Sequence, residues 1–360
     1  MTWIGVTDPS GGWFSLAGTR ALGAFDTAPD RLSPRGSLMI EARNAGGSRP
    51  QILLAFDRPH PWPGDLSLQA LPDGSIVLIE AQQGDTASAV LTCPYTDRSD
   101  ILRLTYSWDA PRRSGRLTVE RPEPGTTHSA DLAGAHPMLT SDLRDIMTRP
   151  RRRRMDRGVI FAAVSDRVEP VGPMPGLTGE TPILTDRGER PVRDLRRGDV
   201  IVTDRGDRVP VLQHIRRTVP ARGSFRPIRL RAGYFGLSRD IVVAPYQQLV
   251  MRGSDVEYMF GPEAVLAPAR HLVNNVSAVP ARGPEMVTFH QLLLPGHETL
   301  VAAGCVVESL FVGRLRRKPD RLAASILAPF ERSLLPEHAQ PVWPVLKPFE
   351  AVTLATERAA

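Results

Sequence analysis

A chain of 360 residues with 23% charged and 41% hydrophobic residues has the composition of a folded protein, and its length is a prior for two domains. That balance excludes a disordered chain, and two cysteines, Cys93 and Cys305, exclude a disulfide framework and a cysteine metal cage, which leaves both as buried small hydrophobes. The formal charge is +6, and of 45 basic residues only Lys318 and Lys347 are lysine.

The longest apolar stretches, such as Ile76 to Ile79 and Ile241 to Ala244, run about four residues against the roughly 20 that cross a bilayer, so no transmembrane segment is expected. Met1 to Pro9 has neither a basic start nor an apolar core, so no secretory signal is expected, and the compartment stays open between cytoplasm and export by a signal-independent route. Arg149, Arg151, Arg152, Arg153, Arg154 and Arg157 form a basic run, and Arg190 to Arg231 holds 12 Arg against four Asp. With few aromatics nearby and no binding-motif spacing, a solvated basic face is expected there and nucleic acid is not.

The 34 prolines and 30 glycines favour strands joined by turns. Strands are predicted over 37–43, 51–56, 66–71, 75–80, 89–92, 101–108 and 115–120, each alternating or nearly so. Pro72-Asp73-Gly74 between two of them is a tight hairpin signal, because glycine supplies the positive φ that such a turn needs. Seven short strands at this spacing imply a β-sandwich. A short helix is expected around Ser141 to Met147 with Ser141 as N-cap, then one more strand over 158–165. Val168 to Pro175 carries three prolines and reads as a stiff linker.

This first part, 1–167, resembles the concanavalin-like and laminin-G-like jelly rolls. The resemblance is architectural and has no diagnostic motif. Many such sandwiches bind glycans and many bind nothing known, so the resemblance leaves a glycan or protein ligand open, with Trp3, Trp13, Trp62 and Trp108 either stacking on sugar rings or filling the core.

From Gly176 the chain turns to short β-branched runs cut by Asp186-Arg187-Gly188, Leu195-Arg196-Arg197-Gly198-Asp199 and Asp204-Arg205-Gly206 turns. The stretch Gly176 to Thr203 is similar to the opening of a Hint (hedgehog/intein) domain, and most of all to bacterial Hint-like proteins that begin C-F-T-P-G-T and continue V-x-D-L-x-x-G-D-x-V. Thr185 to Val202 fits without a gap. The similarity continues through Ile241 to Val250, Pro268 to Asn274 and His297 to Ser309, which places a Hint-like domain at 176–315, a linker at 168–175 and a partly helical tail at 316–360. The fold expected is mostly β: a jelly-roll-like sandwich, an all-β Hint fold, and a short helical tail.

Hint self-processing implies a nucleophile at the first residue, attacking the preceding carbonyl, and a His three residues after a Ser or Thr to protonate the departing amide. Here the nucleophile position is Gly176, and the Ser/Thr-Pro-x-His segment reads Ala244-Pro245-Tyr246-Gln247. Both halves of the chemistry are missing. Thr178 and Thr181 are weak substitutes, since Gln247 is no base for them, and so is Cys305, which lies late in the Hint segment with nothing nearby to lower its pKa. His271 and Asn274 resemble an intein-terminal pair but lie mid-domain with no acceptor directly after them. His271 and His297 are read as packing or hydrogen-bonding residues.

After Gly313 the spacing predicts a helix over 319–330 with Asp320 as N-cap and a helical turn from Pro336, docking back on a β domain. The expected function is a binding or scaffold role with a self-processing site out of use, without cofactor or metal. Two alternatives stand: an autoprocessing domain that cleaves near Pro175-Gly176 with an unrecognised nucleophile, and a carbohydrate-binding module.

Overall fold

The computed structural model describes residues 2–16, 31–44, 48–93, 100–123 and 125–358. It is mostly β and separates into two compact units, Met1–Glu169 with Arg222–Ser224, and Pro170–Ala221 with Phe225–Ala360.

The first unit has a seven-stranded and a five-stranded antiparallel sheet. The larger orders Thr126–Ala133, Ser114–Arg121, Ile101–Asp109, Arg35–Arg43, Val159–Ser165, Trp3–Asp8 and Gly11–Phe14, and the smaller runs from Arg153–Arg154 through Gln51–Arg58, Gly64–Ala70 and Ser75–Gln82 to Asp85–Thr92. Period-two alternation explains the layering: Ala87, Ala89 and Leu91 face the core from the last strand while Ser88 and Val90 face out. Leu102, Leu104, Tyr106 and Trp108 fill the same core from Ile101–Asp109. The predicted strands lie within a few residues of those found, and Trp3–Asp8, Gly11–Phe14 and Thr126–Ala133 add to them.

At the predicted hairpin Gly74 takes φ +86° and donates to the Leu71 carbonyl at 3.0 Å, while Asp73 caps the Ser75 N–H at 2.8 Å. The helix Thr140–Thr148 forms where expected, but its N-cap is Leu139 without a side-chain cap, so Ser141 sits inside the first turn. The arginine run does not behave as one solvated face. Arg153 is buried and donates to Thr7 Oγ1 at 2.9 Å and the carbonyls of Asp8 and Ile146, so it is a strut between strand and helix.

In the second unit a six-stranded sheet orders Gln213–Pro220, Met286–Leu293, Leu177–Thr178, Ile241–Val243, Ile228–Leu230 and Ala278–Pro280. A second sheet runs from Arg208–Pro210 through Val200–Val202, Pro182–Thr185, Thr299–Ala302, Cys305–Glu308 and Gln248–Arg252 to Ala264–Pro268. Gly198 turns the chain at φ +89°, with Asp199 accepting the Arg196 N–H at 2.8 Å.

The tail belongs to this unit. Leu322, Leu327 and Leu335 pack with Ile215, Leu293, Leu310 and Val312, and Leu346 donates its N–H to Leu266 at 2.9 Å along the outer strand of the second sheet. Its helices differ from expectation. The first covers only Pro319–Ala323 with Lys318 as N-cap, residues 332–334 form a 3-10 turn ahead of Pro336, and a ten-residue helix, Pro348–Glu357, follows. Pro348 is a start signal at the first helical position, and Glu350 reaches back to the Lys347 N–H at 2.7 Å. Among the described residues no helix is long and apolar enough to cross a membrane.

Candidate functional site

The two-residue strand Leu177–Thr178 is held between Met286–Leu293 and Ile241–Val243, with Leu177 opposite both His290 and Val243. That pairing fixes Gly176 at the strand entrance. Its carbonyl accepts the Ala244 N–H at 2.7 Å, and Gln247 N–H closes the next turn on the Ala244 carbonyl at 3.0 Å. Ala269 and Arg270 donate to the carbonyls of Gln247 and Pro245 at 2.9 and 2.8 Å, so the Ala244 to Gln247 segment is fastened on both sides.

Gln247 is 2% exposed and its carboxamide is fully engaged. Oε1 accepts from Gln291 Nε2 at 2.9 Å, and Nε2 donates to the carbonyls of Gln248 and Glu308 at 3.1 and 3.3 Å. Gln291 Nε2 donates also to the Glu308 carbonyl at 3.0 Å. A Cβ placed on Gly176 would stand 2.1 Å from Gln247 Oε1 and 3.0 Å from its Cδ. Nonbonded carbon and oxygen do not come to 2.1 Å, so any side chain at position 176 would require the Gln247 carboxamide to move. The φ of Gly176 lies outside the left-handed range, so it is Gln247 rather than the backbone that makes glycine fit.

Tyr246 Oη donates to the Pro175 carbonyl at 2.9 Å, the carbonyl that a nucleophile at 176 would attack. A cavity of about 170 Å³ lies against Tyr246, Gln247, Gln291, Glu308 and Ser309. Burial raises the Glu308 carboxyl, while His297, with Nε2 3.2 Å from Glu308 Oε2, pulls it down. The Ser309 hydroxyl accepts the Glu298 N–H at 3.0 Å. Carboxamides are neither acids nor bases at neutral pH.

The remaining sequence candidates lie elsewhere. Thr178 Oγ1 spends its proton on the Val242 carbonyl at 2.7 Å and lies 3.3 Å from the buried Thr181 hydroxyl. Cys305 is 1% exposed, and burial pushes its thiol up to about 12. Asn274 Oδ1 accepts the N–H groups of Val276 and Ser277 at 2.9 and 2.8 Å and shapes a turn. His271 Nε2 accepts from Arg270 Nε at 3.1 Å. His297 Nδ1 accepts the Val342 N–H at 2.9 Å and so holds the tail.

Sequence reading missed His214 and His290, which come from adjacent strands with Nε2 and Nδ1 3.0 Å apart and rings stacked at 5.1 Å. Burial, then the neighbouring His214, Arg216 and Arg193, holds His290 down at about 4. Gln291, Glu308 and Ser309 were missed as well. Their only signal is strand register, which places Gln291 opposite Ile215 and Val307 opposite Leu249. Of the tryptophans, Trp3 and Trp108 are fully buried in the sandwich, whereas Trp13 and Trp62 are partly exposed.

Residues 175–314 match the family model described as Hint domain, and the second unit carries that domain. Among solved structures, the chain is similar to the gp41-1 intein at 8% identity, over 37% of this chain and 98% of that one, with a TM-score of 0.25. It is similar also to the Ruminococcus gnavus IT-sialidase CBM40 at 12% identity, over 38% and 78% of the chains, with a TM-score of 0.28. The LG1-3 region of the laminin alpha2 chain aligns at 7% identity over 78% of this chain and 53% of that one, with a TM-score of 0.25. No curated protein sequence matches the chain.

Proposed function

We propose that the chain is a binding or scaffold protein whose Hint domain holds its fold but is arrested in self-processing. One observation carries this reading: the Gln247 carboxamide, anchored by Gln291, fills the space that a nucleophilic side chain at 176 would need. A Hint reaction begins with a thiol or hydroxyl attacking the Pro175 carbonyl, and Gly176 offers neither. Thr178 lies two residues on, with its proton committed to Val242. Cys305, as a buried thiol with a raised pKa, carries no thiolate at neutral pH.

The test is intact-mass spectrometry of the purified full chain after days with and without a thiol and with hydroxylamine. A single species at 39.5 kDa is expected. Fragments split between Pro175 and Gly176, or beside Thr178, would overturn the reading and reveal another nucleophile.

A further inference from the structure

The strand Leu177–Thr178 is shorter than its neighbours. Thr178 pairs with Phe289, and the chain then turns away, Thr181 donating its N–H to the Thr178 carbonyl at 2.9 Å. Beyond that point a cleft of about 810 Å³ opens, with Pro182, Ile241, Val242 and Met286 among its apolar walls. Pockets that enclose a ligand span roughly 300–1,000 Å³.

Backbone direction points the same way. Glu285 gives its carbonyl to the Ala221 N–H at 2.7 Å, and Pro220, which pairs with Met286, has no N–H to give. Backbone groups alternate sides along an antiparallel strand, so the N–H and C=O of Met286 point away from Gln213–Pro220 and toward the cleft.

The charges are unbalanced in one direction. Glu180 is paired with Arg193, and Asp240 is bound by Arg229 at 3.4 Å and by the Ala232 N–H at 2.9 Å. Arg239 is paired with Glu189. Arg226 and Arg282 also line the cleft, and neither has a carboxylate partner among the described residues. The acids on the wall are therefore matched and two cations are spare.

We propose that this cleft binds an extended acidic peptide, which adds as a strand beside Met286, lays apolar side chains against Ile241 and Met286, and sets carboxylates on Arg226 and Arg282. Strand addition supplies main-chain hydrogen bonds, and guanidinium–carboxylate pairs supply selectivity. The proposal rests on the binding role above. A chain that stays whole yet ignores the peptide loses this cleft assignment alone, and a chain that cleaves loses the arrested site alone.

The probe is a fluorescein-labelled octapeptide of alternating glutamate and valine, titrated with the full chain by fluorescence anisotropy. Saturable binding is expected, weakened about tenfold or more by R226E/R282E and by added salt, with an alternating lysine–valine peptide failing to bind. Hydrogen exchange on the complex is expected to slow at Met286. Both arginines are exposed, so the variant should melt like the parent. If it does not fold, the salt and lysine-peptide arms on the unaltered chain still decide. Absence of binding, equal binding of the lysine peptide, or binding without protection at Met286 would overturn the proposal. So would dodecanoate displacing the peptide with the same protection at Met286, since that would mark a site for anionic amphiphiles.

Discussion

At its entrance the strand Leu177–Thr178 is closed: Gly176 abuts a buried carboxamide held by three hydrogen bonds, and the adjoining cavity is about 170 Å³. At its exit it is open, onto a cleft of about 810 Å³ with two unmatched arginines. The same short strand thus ends once against a packed carboxamide and once at an open cleft. The contrast separates two questions, whether the domain can cut its own chain and whether it can hold another.

The closed end can be broken most severely at Gly176. Gly176→Cys should lose about 2 kcal/mol in urea melts, as over-packed cores do, and adding Gln247→Ala should recover most of that loss. Additive effects of the two changes would show that the carboxamide and residue 176 do not share one space. Gln291→Leu removes a donor shared by two buried acceptors, so a loss of about 1–2 kcal/mol is expected in the same assay.

Acid should loosen the domain by a smaller amount. His338 accepts the Val312 N–H on Nδ1 at 3.3 Å, and burial holds its imidazole, like that of His290, down at about 4. Because these folded pKa values lie below that of an unfolded histidine, the unfolded chain binds more protons between them. Stability is then full above about pH 6.5, falls as pH drops toward 4, and levels off below. From pH 7 to pH 6 the loss should be about 1 kcal/mol, and His338→Asn should flatten the slope. A flat profile in the unaltered chain would mean that neither ring is held neutral. Smallest of all is the response to thiol reagents: Cys93 and Cys305 are buried with raised pKa values and should react only after unfolding. Titration of the native chain with a disulfide reagent checks this.

Much of this was legible in the residues. The strands of the sandwich follow from period-two alternation, and the turns at Gly74 and Gly198 follow from the positive φ that only glycine takes easily. Gly176, Ala244 and Gln247 were placed together by similarity to a motif, and the fold does bring them within hydrogen-bonding reach. Arg153 was counted with a surface run, because sequence adjacency says nothing about which of six arginines turns inward.

The sequence by itself determined local geometry: which segments extend, where the chain reverses, and that position 176 carries no nucleophile. Only the tertiary structure decided why glycine stands there, because the overlap with Gln247 involves residues 71 positions apart and depends on the Gln291 donor. The cleft too is tertiary, since it arises where one strand stops short of its neighbours. Periodicity is a property of neighbours along the chain, whereas steric exclusion and unpaired edges exist only once distant segments share a sheet.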